Sequence, residues 1–179
     1  VMSAVTGLST GFEKAWNATG KRGLARMIVV TQVDREHIGY RKVLDDLRAT
    51  YGHCVIPTVL PIGEGVNFKG VVDVLTGKAF MGSGKDRKEV PVPAEMEALV
   101  EEAIEACHEA AASTSEDLME KFFDEGRLSE TDMLRGLSAG IYEGSIVPVA
   151  PVSCLNGIGV RPLLYEMATY MPSPMEHTY

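Results

Sequence analysis

Met27-Ile28-Val29-Val30 is an unbroken apolar run, and three of its four side chains are β-branched. A strand of this kind has no polar face to present to water. It must be covered on both sides, which is the situation of a strand in a parallel sheet. Two more such runs follow, at 55–60 and at Ile146-Val147-Pro148-Val149-Ala150, and the segment 1–5 reads as a shorter one. Between them lie stretches with helical spacing. One spans 10–23, with Thr10 expected as N-cap and Phe12, Ala15, Trp16 and Thr19 on one face. Another spans 38–51, with Tyr40, Val43, Leu44, Leu47 and Tyr51 on one face, closed by Gly52. The order β-α-β-α-β predicts an α/β fold, a parallel sheet with helices on both faces and right-handed crossovers.

After residue 60 the pattern changes. Residues 68–74 and 78–81 predict two strands joined at Leu75-Thr76-Gly77, and 82–86 reads as a polar loop tip. Three helical stretches follow. The first is opened by Pro93 and runs to Ala112. The second has an expected capping box, Ser113 with Glu116, ahead of Leu118, Met119, Phe122 and Phe123. The third is capped by Ser129 and expected to end near Gly140. Parallel-sheet character then resumes. A last helix, opened by Pro162, is expected to line one face with Leu163, Leu164, Met167, Ala168 and Met171 and to end at Pro172 and Pro174. The predicted organisation is a discontinuous α/β unit over 1–60 and 143–174, an α+β insert over 61–142, and the start of a linker over 175–179.

Charge separates the insert from the rest. From Lys88 to Asp132 there are 14 acidic and 3 basic residues, a net of −11, while the remainder has 11 acidic and 14 basic, a net of +3. Such a segment repels phosphate backbones and attracts a basic protein. No apolar run approaches the ~20 residues of a membrane helix. Cys54, Cys107 and Cys154 and the histidines His37, His53, His108 and His177 show no metal-ligand spacing, so no metal site is expected. Scattered cysteines fit a reducing, cytoplasmic compartment. Cys107-His108 reads as incidental. Gly82-Ser83-Gly84-Lys85 is not a phosphate loop, because Ala79 stands where the first glycine is needed and Asp86 replaces the magnesium-binding hydroxyl.

Two loops at carboxyl ends of predicted strands remain as candidates for chemistry, Thr31-Gln32-Val33-Asp34 and Val152-Ser153-Cys154-Leu155. In open α/β sheets that edge binds ligands. A fixed carboxylate such as Asp34 can accept both the ring N1–H and the exocyclic amine of guanine through charge-assisted bonds. Adenine presents no such donor pair. A backbone N–H of the second loop can serve the guanine carbonyl. Taken alone, the first loop reads more readily as a plain strand-to-helix loop with Asp34 as N-cap, Ser153 as a helix cap, and Cys154 as a small packing residue.

These loops resemble the Asn-Lys-x-Asp and Ser-Ala-Lys/Leu motifs of the GTPase superfamily. The intervening sequence is similar to elongation factor G: Val59-Leu60-Pro61-Ile62-Gly63 and Phe68-Lys69-Gly70-Val71-Val72-Asp73 at the start of its inserted subdomain, Glu116-Asp117-Leu118-Met119-Glu120-Lys121-Phe122 within it, and Gly144-Ser145-Ile146-Val147-Pro148-Val149 at its exit. Gly157-Ile158-Gly159-Val160-Arg161-Pro162-Leu163-Leu164 and Tyr170-Met171-Pro172-Ser173-Pro174 extend the resemblance over nearly the whole chain. It departs at Thr31, where the family has Asn, at Gln32, where it has Lys, and at Cys154, where it has Ala; Asp34, Ser153 and Leu155 match. The resemblance implies part of a P-loop GTPase-type sheet from a diverged elongation-factor-G-like paralogue that binds GTP or GDP. The implied nucleotide-binding residues are Thr31, Gln32, Asp34, Ser153, Cys154 and Leu155.

It further implies a ribosome-associated translational GTPase whose acidic insert meets the basic stalk protein. Val1, already inside an apolar run, is expected to be a cut within a longer protein. The phosphate loop, the switches and the magnesium ligands are then expected to lie outside the chain, which alone would hydrolyse nothing. An unpaired sheet edge beside 1–5 would favour self-association. A ribosome-protection or release-factor GTPase, and a non-hydrolysing module that binds a basic protein, are the other readings.

Overall fold

A computed structural model describes residues 1–173 and Met175, with only the backbone at Lys85. Pro174 and most of the expected linker 175–179 lie outside the described residues. The elements are β1 (Met2–Ser3), α1 (Thr10–Lys21), β2 (Ile28–Thr31), α2 (Tyr40–Tyr51), β3 (Val55–Pro57), β4 (Val59–Ile62), β5 (Gly70–Asp73), β6 (Lys78–Met81), β7 (Lys88–Val90), α3 (Glu97–Ala112), α4 (Glu116–Glu125), α5 (Glu130–Glu143), β8 (Val147–Val152) and α6 (Val160–Tyr170). Four of the strands form a parallel sheet in the order β1-β2-β8-β3, flanked by helices. The other four form an antiparallel sheet in the order β4-β5-β6-β7. The fold is α/β with an inserted subdomain. Every residue of β8 is buried, as a central parallel strand requires.

The apolar run expected as one strand over 55–60 is two strands in different sheets. Thr58 breaks it. Its N–H donates to the Val149 carbonyl (3.3 Å) in the parallel sheet, while its carbonyl accepts from Val74 N–H (2.9 Å) beside the antiparallel one. Both faces of both strands are covered, so hydropathy alone has no mark of the change. The antiparallel sheet therefore begins at Val59, two residues before residue 61, where the insert was expected to start. The far end of the insert is fastened by Arg26. That guanidinium donates to the Gly144 carbonyl (3.2 Å) and lies 4.1 Å over the Trp16 ring, which in turn packs on Tyr51 at 4.1 Å between centroids.

Several helix ends differ from expectation for local reasons. Ser9, not Thr10, caps α1 by accepting the Phe12 N–H. The Ala94–Met96 turn separates Pro93 from α3, so Pro93 precedes a 3-10 turn and does not open the α-helix. Ser113 ends α3, and Ser115 caps α4 by accepting from Leu118 N–H. Ser129 caps α5 as expected, and that helix continues to Glu143, where Gly144 takes the left-handed conformation at φ 79°. Ser115→Ala should cost about 1 kcal/mol of stability in urea denaturation, and Ser113→Ala much less. Equal losses would contradict this assignment.

The buried face of α6 is also rotated from the one expected. Pro162 and Glu166 are buried and Leu163, Tyr170 and Met171 pack partly against the core, whereas Leu164 is 57% and Met167 46% exposed. The 162-166-170 row, spaced by four, faces the sheets. Glu166 has its Oε2 bonded by the Thr58 hydroxyl (2.9 Å), and its Oε1 has no hydrogen-bond partner among the described residues. Among the described residues no helix is long and apolar enough to cross a membrane.

Candidate functional site

β2 and β8 are neighbours in register, with Thr31 beside Val152. Their carboxyl ends therefore release the two candidate loops side by side. Asp34 is not a helix cap, since α2 starts six residues later behind Gly39. Its carboxylate lies against the second loop. Ser153 donates from Oγ to Asp34 Oδ2 (2.8 Å), and Asn156 donates from Nδ2 to the same oxygen (3.1 Å). Oδ1 has no hydrogen-bond partner among the described residues. One carboxylate oxygen is thus anchored and the other is open at a half-buried position.

Ser153 is itself fixed. It is buried, its N–H donates to the Ile158 carbonyl (3.0 Å), and its Oγ accepts the Asn156 N–H (3.2 Å). These bonds close the loop 153–158 on itself before Gly159 leads into α6. Asn156 carries no sequence signal beyond its place three residues after Ser153, and the sequence reading missed it. Such spacing suits a turn whose serine oxygen accepts the later N–H.

The other expected site residues sit differently. Thr31 donates its hydroxyl to the Met2 carbonyl (3.2 Å), tying it to β1. Gln32 takes a left-handed backbone at φ 61°, and its Oε1 accepts the Ser3 hydroxyl, so its amide also turns towards β1. Cys154 and Leu155 are exposed at the loop tip. The structure brings together Asp34, Ser153 and Asn156; it does not bring Thr31 and Gln32 side chains to them by any hydrogen bond.

A cavity of about 940 Å³ lies elsewhere. It lies between α2 and α3 and is lined by Tyr40, Leu44, Arg48, Met96, Leu99 and Ala103 among others. Neither Asp34 nor Ser153 borders it. The interior of the insert explains Cys107-His108. His108 Nδ1 accepts the Leu128 N–H (3.1 Å), and burial, with Arg127 nearby, lowers its pKa. Burial likewise pushes the Cys107 thiol up to about 12.

No family model matches the chain. The crystal structure of a protein from Thermus thermophilus matches with a TM-score of 0.89 and 34% sequence identity, over 98% of this chain and 26% of that one. The chain thus spans about a quarter of that protein's length.

Proposed function

We propose that the chain is the guanine-recognising part of an elongation-factor-G-like translational GTPase that acts on the ribosome. The observation that carries this reading is the Asp34 carboxylate, held through one oxygen by Ser153 and Asn156 across the ends of adjacent parallel strands. A carboxylate so oriented fits the donor pair of guanine: Oδ1 is open for one N–H, and Oδ2 becomes available to the second when the exposed Asn156 amide yields. Among the described residues the backbone N–H groups of Cys154 and Leu155 make no hydrogen bond, which leaves them to meet the guanine carbonyl. GTP or GDP is the ligand of this reading, with magnesium and the hydrolytic groups supplied by other parts of the protein.

The acidic helices are the proposed partner surface. Glu97, Glu101, Glu102, Glu105 and Glu109 all stand exposed on α3, a suitable face for a basic ribosomal stalk protein. A second reading, a binding module that no longer hydrolyses GTP, is favoured by one observation. Thr31 and Gln32 are both committed to β1 and offer the base no amide or aliphatic stem.

The test is displacement of fluorescent GDP from the full-length protein by GTP or ATP. GTP should compete and ATP should not. Asp34→Asn should weaken GDP by at least about a hundredfold, because two charge-assisted bonds are lost at about 1.5–3 kcal/mol each. Absence of binding, or equal competition by ATP, would reject guanine reading and leave the scaffold.

A further inference from the structure

A second cavity, of about 510 Å³, opens between the insert and the start of α6, lined by Phe80, Gly84, Arg87, Glu89 and Arg161. It holds two guanidinium groups. Among the described residues neither forms a hydrogen bond or an ion pair. Arg87 lies flat on the Phe80 ring, 3.7 Å from its centroid. Stacking of this kind fixes the plane of the guanidinium and leaves its N–H edge free for a ligand. Arg161 projects from the second residue of α6, whose N-cap is Gly159 and has no capping side chain. The N-terminal end of that helix carries positive potential of its own. The carboxylate on the wall, Glu89, is drawn to Lys78 at 3.7 Å.

Like charges face one another here, with Glu89 on the same cavity wall. Burial and the Arg161 charge lower the pKa of Arg87, against opposing effects of Glu89 and Asp73. A pair of arginines held in this way matches the several acceptor oxygens of a phosphate group, which takes parallel N–H bonds from guanidinium forks.

We propose that the cavity between Arg87 and Arg161 is a binding site for a phosphate-class oxyanion, separate from the Asp34 loop. The phosphate belongs either to a small phosphorylated ligand or to the backbone of an RNA strand. The two loops are neighbours: a Cβ added to Gly157 would lie 3.8 Å from Ser83 Cβ, at the tip of the hairpin that carries Arg87. An occupied cavity would therefore bear on the loop that holds Ser153.

The experiment uses the full-length protein and two probes, pyrophosphate by titration calorimetry and a fluorescein-labelled RNA hairpin by anisotropy. At least one should bind, and Arg161→Gln should weaken it about tenfold or more, as loss of a charge-assisted bond implies. Arg161 is exposed, so this variant should fold; Arg87→Gln should act in the same direction, and Glu89→Gln should tighten binding. Pyrophosphate binding alone identifies a small ligand, and RNA binding alone identifies the polynucleotide backbone. Guanosine, which has no phosphate, should not displace either probe, so failure of guanine reading leaves this test intact. Failure of both probes to bind, or equal binding by wild type and Arg161→Gln, would overturn the site.

Discussion

Glu166→Gln should abolish a loss of stability that the wild type suffers between mildly acidic and neutral pH, a loss of about 3 kcal/mol at pH 7. Glu166 is 2% exposed, and burial pushes its pKa from 4.5 up to about 8, with the Thr58 hydroxyl opposing and Asp73 adding to the rise. The groups facing it are Asp73 on β5, Tyr40 on α2, Cys107 on α3 and Tyr170 on its own helix, all acids whose own pKa values are raised. Arg48 acts on Tyr40 and Cys107 and forms no ion pair with Glu166. In the unfolded chain the carboxyl ionises near pH 4.5; in the folded chain it stays protonated until about pH 8. The folded state then binds the extra proton, so stability is full below pH 4.5, falls as pH rises through this window, and levels above pH 8. Glutamine keeps an oxygen for the Thr58 hydroxyl and cannot ionise. Urea denaturation of both proteins from about pH 5 to about pH 8 measures the difference. Parallel pH profiles would show that Glu166 is not the buried acid described.

That residue also marks where the sequence was legible and where it was not. The parallel strands were readable because 28–30 of β2 and all of β8 are apolar, and β8 is buried along its whole length. The inward row of α2, Tyr40, Val43, Leu44 and Leu47, was readable for the same reason. The row of α6 was not, since Glu166 occupies its centre and a hydropathy pattern discounts a carboxyl. The apolar residues of that helix then suggest a stripe about one residue out of phase. The strand β7 was hidden because Lys88 and Glu89 are exposed, leaving only Val90 half-buried. The switch at Thr58 depends on which sheet offers the next hydrogen bond, a tertiary fact. At the candidate site, Asp34 and Ser153 were found from their place at strand ends, and the structure joins them by a hydrogen bond. The rotation of Thr31 and Gln32 towards β1 required knowing that β1 lies beside β2. Asn156 required the closed shape of its loop.

Gly159→Ala should be among the most damaging single-methyl additions in the chain, and it should remove guanine binding together with stability. Gly159 has φ +80°, a region that costs a residue with a Cβ roughly 1–2 kcal/mol. Its Cβ would also stand 2.6 Å from the Pro151 carbonyl oxygen. That oxygen belongs to β8, which is paired to β2 on one side and β3 on the other, so it has little room to retreat. Overpacking of this kind adds typically 1–3 kcal/mol, giving a total of roughly 2–5 kcal/mol. The displacement would pass to Ile158, whose carbonyl holds the Ser153 N–H, and then to the Ser153 hydroxyl that anchors Asp34. Gly157 provides the contrast. It has φ +69°, and its Cβ would meet only the Ser83 side chain at 3.8 Å, an ordinary contact. Gly157→Ala should therefore lose only the backbone strain of roughly 1–2 kcal/mol. Urea denaturation and GDP displacement on both variants separate the two effects. Equal stability losses would mean that α6 can leave β8 without strain; a Gly159→Ala protein that is destabilised yet binds GDP normally would mean that the Ser153 loop does not depend on that close approach.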